Sequence, residues 1–148
     1  MQNEEVIDAA GTDTVCLVAC SGTKLESRSP SWKLYDSTLF EKSFAAAMVV
    51  GVPYIMSAKH GIVDVDQRLD YYNETLKDYT VEEKREWAES LEMPNAETLV
   101  LFGGRDYVDP IKEEYGENYD IIDAYEDCSG IGVQMGVAGD IVEEITND

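Results

Sequence analysis

Val52-Pro53-Tyr54-Ile55-Met56-Ser57-Ala58-Lys59-His60-Gly61 is the stretch that decides the fold: an apolar strand runs straight into a polar turn holding the only histidine of the chain. The same pattern occurs twice more. Val15 to Ala19 leads into Cys20-Ser21-Gly22-Thr23-Lys24, and Leu99 to Phe102 leads into Gly103-Gly104-Arg105-Asp106. Short continuous apolar runs of this kind suit central parallel strands buried on both faces. Three such strands as parallel neighbours would bring their polar ends to one sheet edge, where open α/β sheets bind ligands.

Helical periodicity fills the intervals. Ser29-Pro30 offers a capping side chain and then a proline at the first helical position. From there Leu34, Leu39, Phe40, Phe44, Ala47 and Met48 recur near every 3.6 residues, so a helix is expected as far as Val50. Gly51 ends it and Pro53 blocks its continuation. Strand, helix and strand in this order predict a right-handed crossover.

Asp64 to Asp78 shows no sustained period and reads as an ordered loop over the strand ends. Thr80 and Glu83 form a capping box for a helix carrying Trp87, Ala88 and Leu91, which Met93-Pro94 stops. A short helix is expected after Asp109-Pro110, ending near Gly116, and a weaker strand over Tyr119 to Ala124. Ser129 would cap a last helix with Ile131, Met135, Ala138, Val142 and Ile145 on one face. Gly132, Gly136 and Gly139 weaken that helix by roughly 1 kcal/mol each against alanine, which suggests close packing on the sheet. The expected fold class is therefore α/β: a flexible lead-in over 1–13, then a single domain over 14–148, with a mainly parallel twisted sheet of about four strands flanked by helices.

The 148 residues, 44% of them hydrophobic, are enough for one domain with its own core. Charge is the unusual feature: 31 acidic residues against 11 basic ones leave −20, and the pI is near 4.1. The acids are spread among apolar periodicity, which argues against disorder and resembles the carboxylate-rich coat of proteins from salt-loving organisms. Such a coat disfavours unspecific attraction to phosphate backbones or anionic membranes at low salt. No apolar run approaches the ~20 residues of a membrane helix, and the acidic start is unlike a signal peptide, so a cytoplasmic protein is expected. Cys16, Cys20 and Cys128 lack metal-ligand spacing, so reduced thiols, no metal and no cofactor are expected, with Cys16 as plain core.

Within this acidic chain Lys24, Lys59, Arg68 and Arg105 fall in or just after the strand-end loops. They suit a small anionic or nucleobase ligand; equally, cations gather wherever acids need neutralising. Lys59 can hold an anion, act as an amine nucleophile if its pKa is lowered, or pair with an acid. His60 can serve as a general base or cap a turn. In Cys20-Ser21-Gly22-Thr23-Lys24, small residues let the backbone approach a ligand, and amides and hydroxyls can form an anion-binding nest. The spacing is not that of a Walker A loop. Cys20 with His60 would make a thiolate and base pair. Gly130-Ile131-Gly132 at a helix start can present free amides to an anion, or simply turn the chain. Tyr35, Tyr71, Tyr72 and Tyr107 can stack on a base or pack half-buried.

Five motifs occur in order: Cys20-Ser21-Gly22-Thr23-Lys24, Leu34-Tyr35-Asp36-Ser37-Thr38-Leu39-Phe40, Ser57-Ala58-Lys59-His60-Gly61-Ile62-Val63, Tyr72-Asn73-Glu74-Thr75-Leu76 and Gly130-Ile131-Gly132-Val133-Gln134. Together they resemble a family of small domains of unknown function from archaea, bacteria and phages, distantly similar to YaaA-like proteins. The resemblance implies an α/β domain and marks Cys20, Lys24, Tyr35, Ser37, Ser57, Lys59, His60 and Gln134 as the family's polar positions. The spacing of Cys20 and Lys24 is also similar to a short motif of archaeosine synthase, which works on a deazaguanine base in transfer RNA. These features favour an enzyme acting on a nucleobase, nucleoside or nucleotide. Lys59, His60, Cys20 and Lys24 would carry the chemistry. Ser21, Gly22, Thr23, Tyr35, Ser37, Ser57, Arg68, Arg105, Gly130 and Gln134 would hold the substrate. A nucleic-acid-binding or damage-response module is the alternative, and an effector-binding or interaction protein a third; an extended basic face with aromatics, usual in backbone binders, is missing from the sequence.

Overall fold

The computed structural model describes residues 2–11, 13–19, 23–24, 29–30, 35–36, 38–66, 68–69 and 76–146. In chain order the elements are α1 (Gln2–Ala9), β1 (Thr14–Ala19), β2 (Thr23–Lys24), β3 (Ser29–Pro30), β4 (Tyr35–Asp36), α2 (Thr38–Val50), β5 (Val52–Ser57), β6 (Gly61–Asp64), β7 (Arg68–Leu69), a 3-10 turn (Leu76–Asp78), α3 (Val81–Glu89), β8 (Thr98–Phe102), α4 (Arg105–Tyr115), β9 (Asp120–Asp123) and α5 (Ile131–Thr146).

The continuous apolar runs become the sheet centre. Its order is β6-β5-β1-β8-β9. β1 pairs in parallel with β5 and β8, and β8 with β9, while β6 returns antiparallel to β5. Every residue of β1 is buried, and Leu17, Ile55, Leu99 and Leu101 have no exposed surface. At about 1.5–3 kcal/mol for each large apolar side chain taken from water, this layer is the main source of stability. The sequence expectation of an α/β single domain with a mainly parallel sheet holds.

Crossover direction places the helices. β1–α2–β5 moves one way across the sheet and β5–α3–β8 the other, so right-handed connections put α2 and α3 on opposite faces. α2 packs on β1, β5 and α5, with α1 against α5, and α3 packs on α4. Gly51 lets α2 meet β1 closely: a Cβ there would come within 2.3 Å of the Thr14 carbonyl oxygen.

Five expectations need correction. The sheet has a fifth strand, β6, because Gly61-Ile62-Val63-Asp64, where the sequence predicts no strand, folds back on β5. Ser29-Pro30 does not start a helix; it pairs antiparallel with β7, and β4 pairs with β2, so α2 begins only at Thr38. The lead-in forms α1, whose Val6 is fully buried, and the Thr14 hydroxyl donates to the Ala9 carbonyl. α4 starts at Arg105 with Pro110 inside it, since Tyr107, Val108 and Ile111 bury as one face from before the proline. In α5 the buried residues are Ala138 and Ile141, while Ile131 is 62% exposed. Among the described residues a Cβ on Gly132, Gly136 or Gly139 meets nothing within 4 Å, so packing on the described sheet does not explain these glycines.

Candidate functional site

The sheet order locates a topological switch point. β1 sends its crossover toward β5, whereas β8 sends its own toward β9, so α2 and α4 leave adjacent strands for opposite faces. A ligand crevice opens at such a switch point, outside the carboxyl ends of β1 and β8. The segment after β1 is the cysteine-lysine motif; the segment after β8 is Gly103-Gly104-Arg105. Gly103 is required there, since an added Cβ would stand 2.8 Å from Ala19 Cβ.

Lys59 and His60 stand exposed at the tip of the β5–β6 hairpin on the same edge. The turn is over-determined. Ser57 and Gly61 face each other in the ladder, leaving a three-residue loop closed by Gly61 at φ +74°, a conformation favouring glycine. The His60 backbone N–H donates to Ser57 Oγ at 3.1 Å. The Trp87 indole N–H donates to the Ser57 carbonyl at 3.0 Å, and the Tyr79 hydroxyl to the Ala58 carbonyl at 3.4 Å. Ser57 is fully buried, so its hydroxyl shapes the turn from within.

Arg105 opens α4, and its guanidinium is shared between Asp109 at 3.1 Å and Asp123. Lys112 reaches the same Asp123 Oδ2 at 3.1 Å, and Asp123 Oδ1 accepts the Tyr125 N–H at 3.1 Å. The Asp123 side chain is only 1% exposed, so the two cations neutralise a buried carboxylate at the end of β9. For Arg105 the acid-neutralising role therefore accounts for its place without a ligand. Asp123 was invisible in the sequence as one of 31 acids, Trp87 read there as a helix residue only, and Tyr79 was not singled out.

The other expected positions divide. Gly130 is exposed and Gln134 half-buried in the first turn of α5, where the Gln134 N–H donates to the Gly130 carbonyl at 3.1 Å. The backbones of Thr23 and Lys24 pair with Asp36 and Tyr35, and that of Arg68 with Pro30. Cys20, Ser21, Gly22, Ser37, Tyr71 and Tyr72 lie outside the described residues. Tyr107 is buried edge-on to Trp87 at 5.8 Å, so it packs the core and offers no open face to a base. Cys16 is core as expected, and burial pushes its thiol up to about 12.

Two hollows are lined by described residues. One of about 450 Å³ between Asn95, Tyr115, Asn118 and Tyr119 borders the segments that enter β8 and β9, at the sheet's opposite edge. The second, about 240 Å³, is a groove between α3 and α4 whose Lys84, Arg85 and Arg105 pair with Asp106, Glu113 and Asp109. No helix of the described residues is long and apolar enough to cross a membrane.

The model of DUF6884, a family of unknown function, matches residues 15–137, a span containing all five motifs. No curated protein and no solved structure matches. The chain belongs to the DUF6884 family.

Proposed function

We propose that this DUF6884 member is an enzyme acting on a nucleobase, nucleoside or nucleotide, bound at the carboxyl edge of its parallel strands. What carries the reading is the exposed Lys59–His60 pair on a rigidly tied turn, at the same edge as the switch point between β1 and β8. Lys59 neutralises the anionic part of the substrate, and His60 moves a proton, a task imidazole side chains commonly serve. Cys20 and Lys24, following β1, supply the second wall, with Cys20 as the nucleophile. Arg105 takes a lesser part, because acids already hold it.

A thermal-shift screen in concentrated potassium chloride tests this, with wild type beside Lys59→Ala against guanine, 7-deazaguanine, guanosine, the nucleoside monophosphates and a short oligonucleotide. A ligand at a hundred times its dissociation constant stabilises by roughly 2.7 kcal/mol, about 5–10 °C for a domain of this size. The reading expects such a shift from a base, nucleoside or nucleotide and its loss in Lys59→Ala. A response to the oligonucleotide alone would favour nucleic-acid binding, and equal shifts in both proteins would move the site away from the hairpin tip.

A further inference from the structure

Trp87 is 6% exposed and lies between the hairpin and α4. Its indole N–H holds the Ser57 carbonyl at 3.0 Å, while its ring meets Tyr107 of α4 edge-on, at 5.8 Å and 84°. Tyr107 and Val108 donate their backbone N–H groups to the Gly104 carbonyl, so that ring contact sits on the first turn after β8. One side chain thus touches both the turn after β5 and the turn after β8. A phenylalanine would fill most of the same space but would lack the indole N–H that ties the Ser57 carbonyl to α3, one of the bonds that hold the turn.

We propose that Trp87 is the positioning residue of the carboxyl-edge site, tying the Lys59–His60 tip to the start of α4 so that the two strand-end turns move as one body. The functional meaning rests on the reading of that tip as a wall of the site. Trp87 touches no ligand in this account. It acts through Ser57, whose hydroxyl in turn receives the His60 N–H.

The test uses the full chain, without ligand, and His60 as the only histidine signal in the NMR spectrum. Trp87→Phe is compared with Tyr115→Phe, which removes the bonds from the Tyr115 hydroxyl to the Ala88 carbonyl at 2.6 Å and the Leu91 carbonyl at 3.3 Å, joining α4 to the end of α3 and leaving the Ser57 carbonyl bonded to Trp87. In Trp87→Phe the His60 amide should exchange about tenfold faster relative to the Leu17 amide in β1. The titration midpoint of the His60 ring should also move, by about 0.3 pH or more, as its surroundings change. Tyr115→Phe should do neither. In the wild type, the Trp87 indole N–H and the His60 amide should open together, with exchange rates within about threefold after correction for intrinsic rates. That measurement decides the matter if Trp87→Phe does not fold. Unchanged His60 exchange and titration in Trp87→Phe, equal changes in Tyr115→Phe, or wild-type openings differing more than about tenfold would overturn the proposal. An empty ligand screen would remove the proposed enzyme and leave these results standing.

Discussion

Gly61 and Gly136 look alike in sequence and answer differently to the same substitution. Gly61 has φ +74°, and its added Cβ would meet Leu91 Cδ2 at 3.3 Å. Gly61→Ala should therefore lower stability by about 1–2 kcal/mol, the cost of left-handed backbone for a side chain. Gly136 is exposed, helical and open to solvent among the described residues, so Gly136→Ala should raise stability by up to about 1 kcal/mol. Denaturant titration of the two variants checks both signs. Cys16 carries a pH effect of definite sign. Burial raises its thiol from 9.0 to about 12, so above pH 9 the unfolded chain releases a proton that the folded one keeps. Stability is then fully present below pH 9 and falls as pH rises toward 12, by an amount of order 4 kcal/mol at full ionisation. Tyr125, raised by burial to about 12 although its bond to Ser43 works the other way, adds to the fall above pH 10. Cys16→Ala should flatten the decline between pH 9 and 12, as read from midpoints across a pH series; an unchanged slope would show that Cys16 contributes nothing to it.

At the level of elements, the Asp123 clamp fastens α4 to β9, and its two cations back each other. Arg105→Met alone leaves Lys112 on Asp123, and Lys112→Met alone leaves Arg105. Each single variant should cost about 1 kcal/mol or less, while the double variant strands a buried carboxylate and should exceed the sum by roughly 1–3 kcal/mol. A double-mutant cycle in denaturant measures that excess; simple additivity would contradict the shared clamp. The strands that sequence made legible were those whose signal is local: the runs at Val15, Val52 and Leu99 contain their own burial pattern, and Thr80 with Glu83 forms the capping box that appears in both directions. The elements it missed depend on distant partners. β6 is an ordinary Gly-Ile-Val-Asp until β5 lies beside it. Ser29-Pro30 has every mark of a helix start, and only its pairing with Arg68–Leu69 makes it extended. Of the candidate site, sequence located the edge and the tip but not the ties beneath it, because Trp87 and Tyr79 follow the turn by 27 and 19 residues from His60, and no spacing rule links them to it.

For the whole molecule, the charge of −20 sets the conditions under which everything else holds. Repulsion among carboxylates opposes the compact state, and molar salt cuts the Debye length to roughly 3 Å. Midpoint temperature should therefore climb between 0.1 and about 2 M potassium chloride, most steeply at the low end where screening changes fastest; a flat curve would mean that repulsion among the acids does not oppose the compact state. The same screening bears on the site, since an anion must approach an acidic surface to reach Lys59 at the hairpin tip. The most direct measurement of the central claim follows the His60 ring signals by NMR during titration with guanosine monophosphate and 7-deazaguanine in high potassium chloride. The account expects saturable movement of these signals in wild type and none in Lys59→Ala at the same ligand concentrations. Saturation of signals elsewhere in the chain with His60 unmoved would contradict it, and would place any ligand site away from the carboxyl edge.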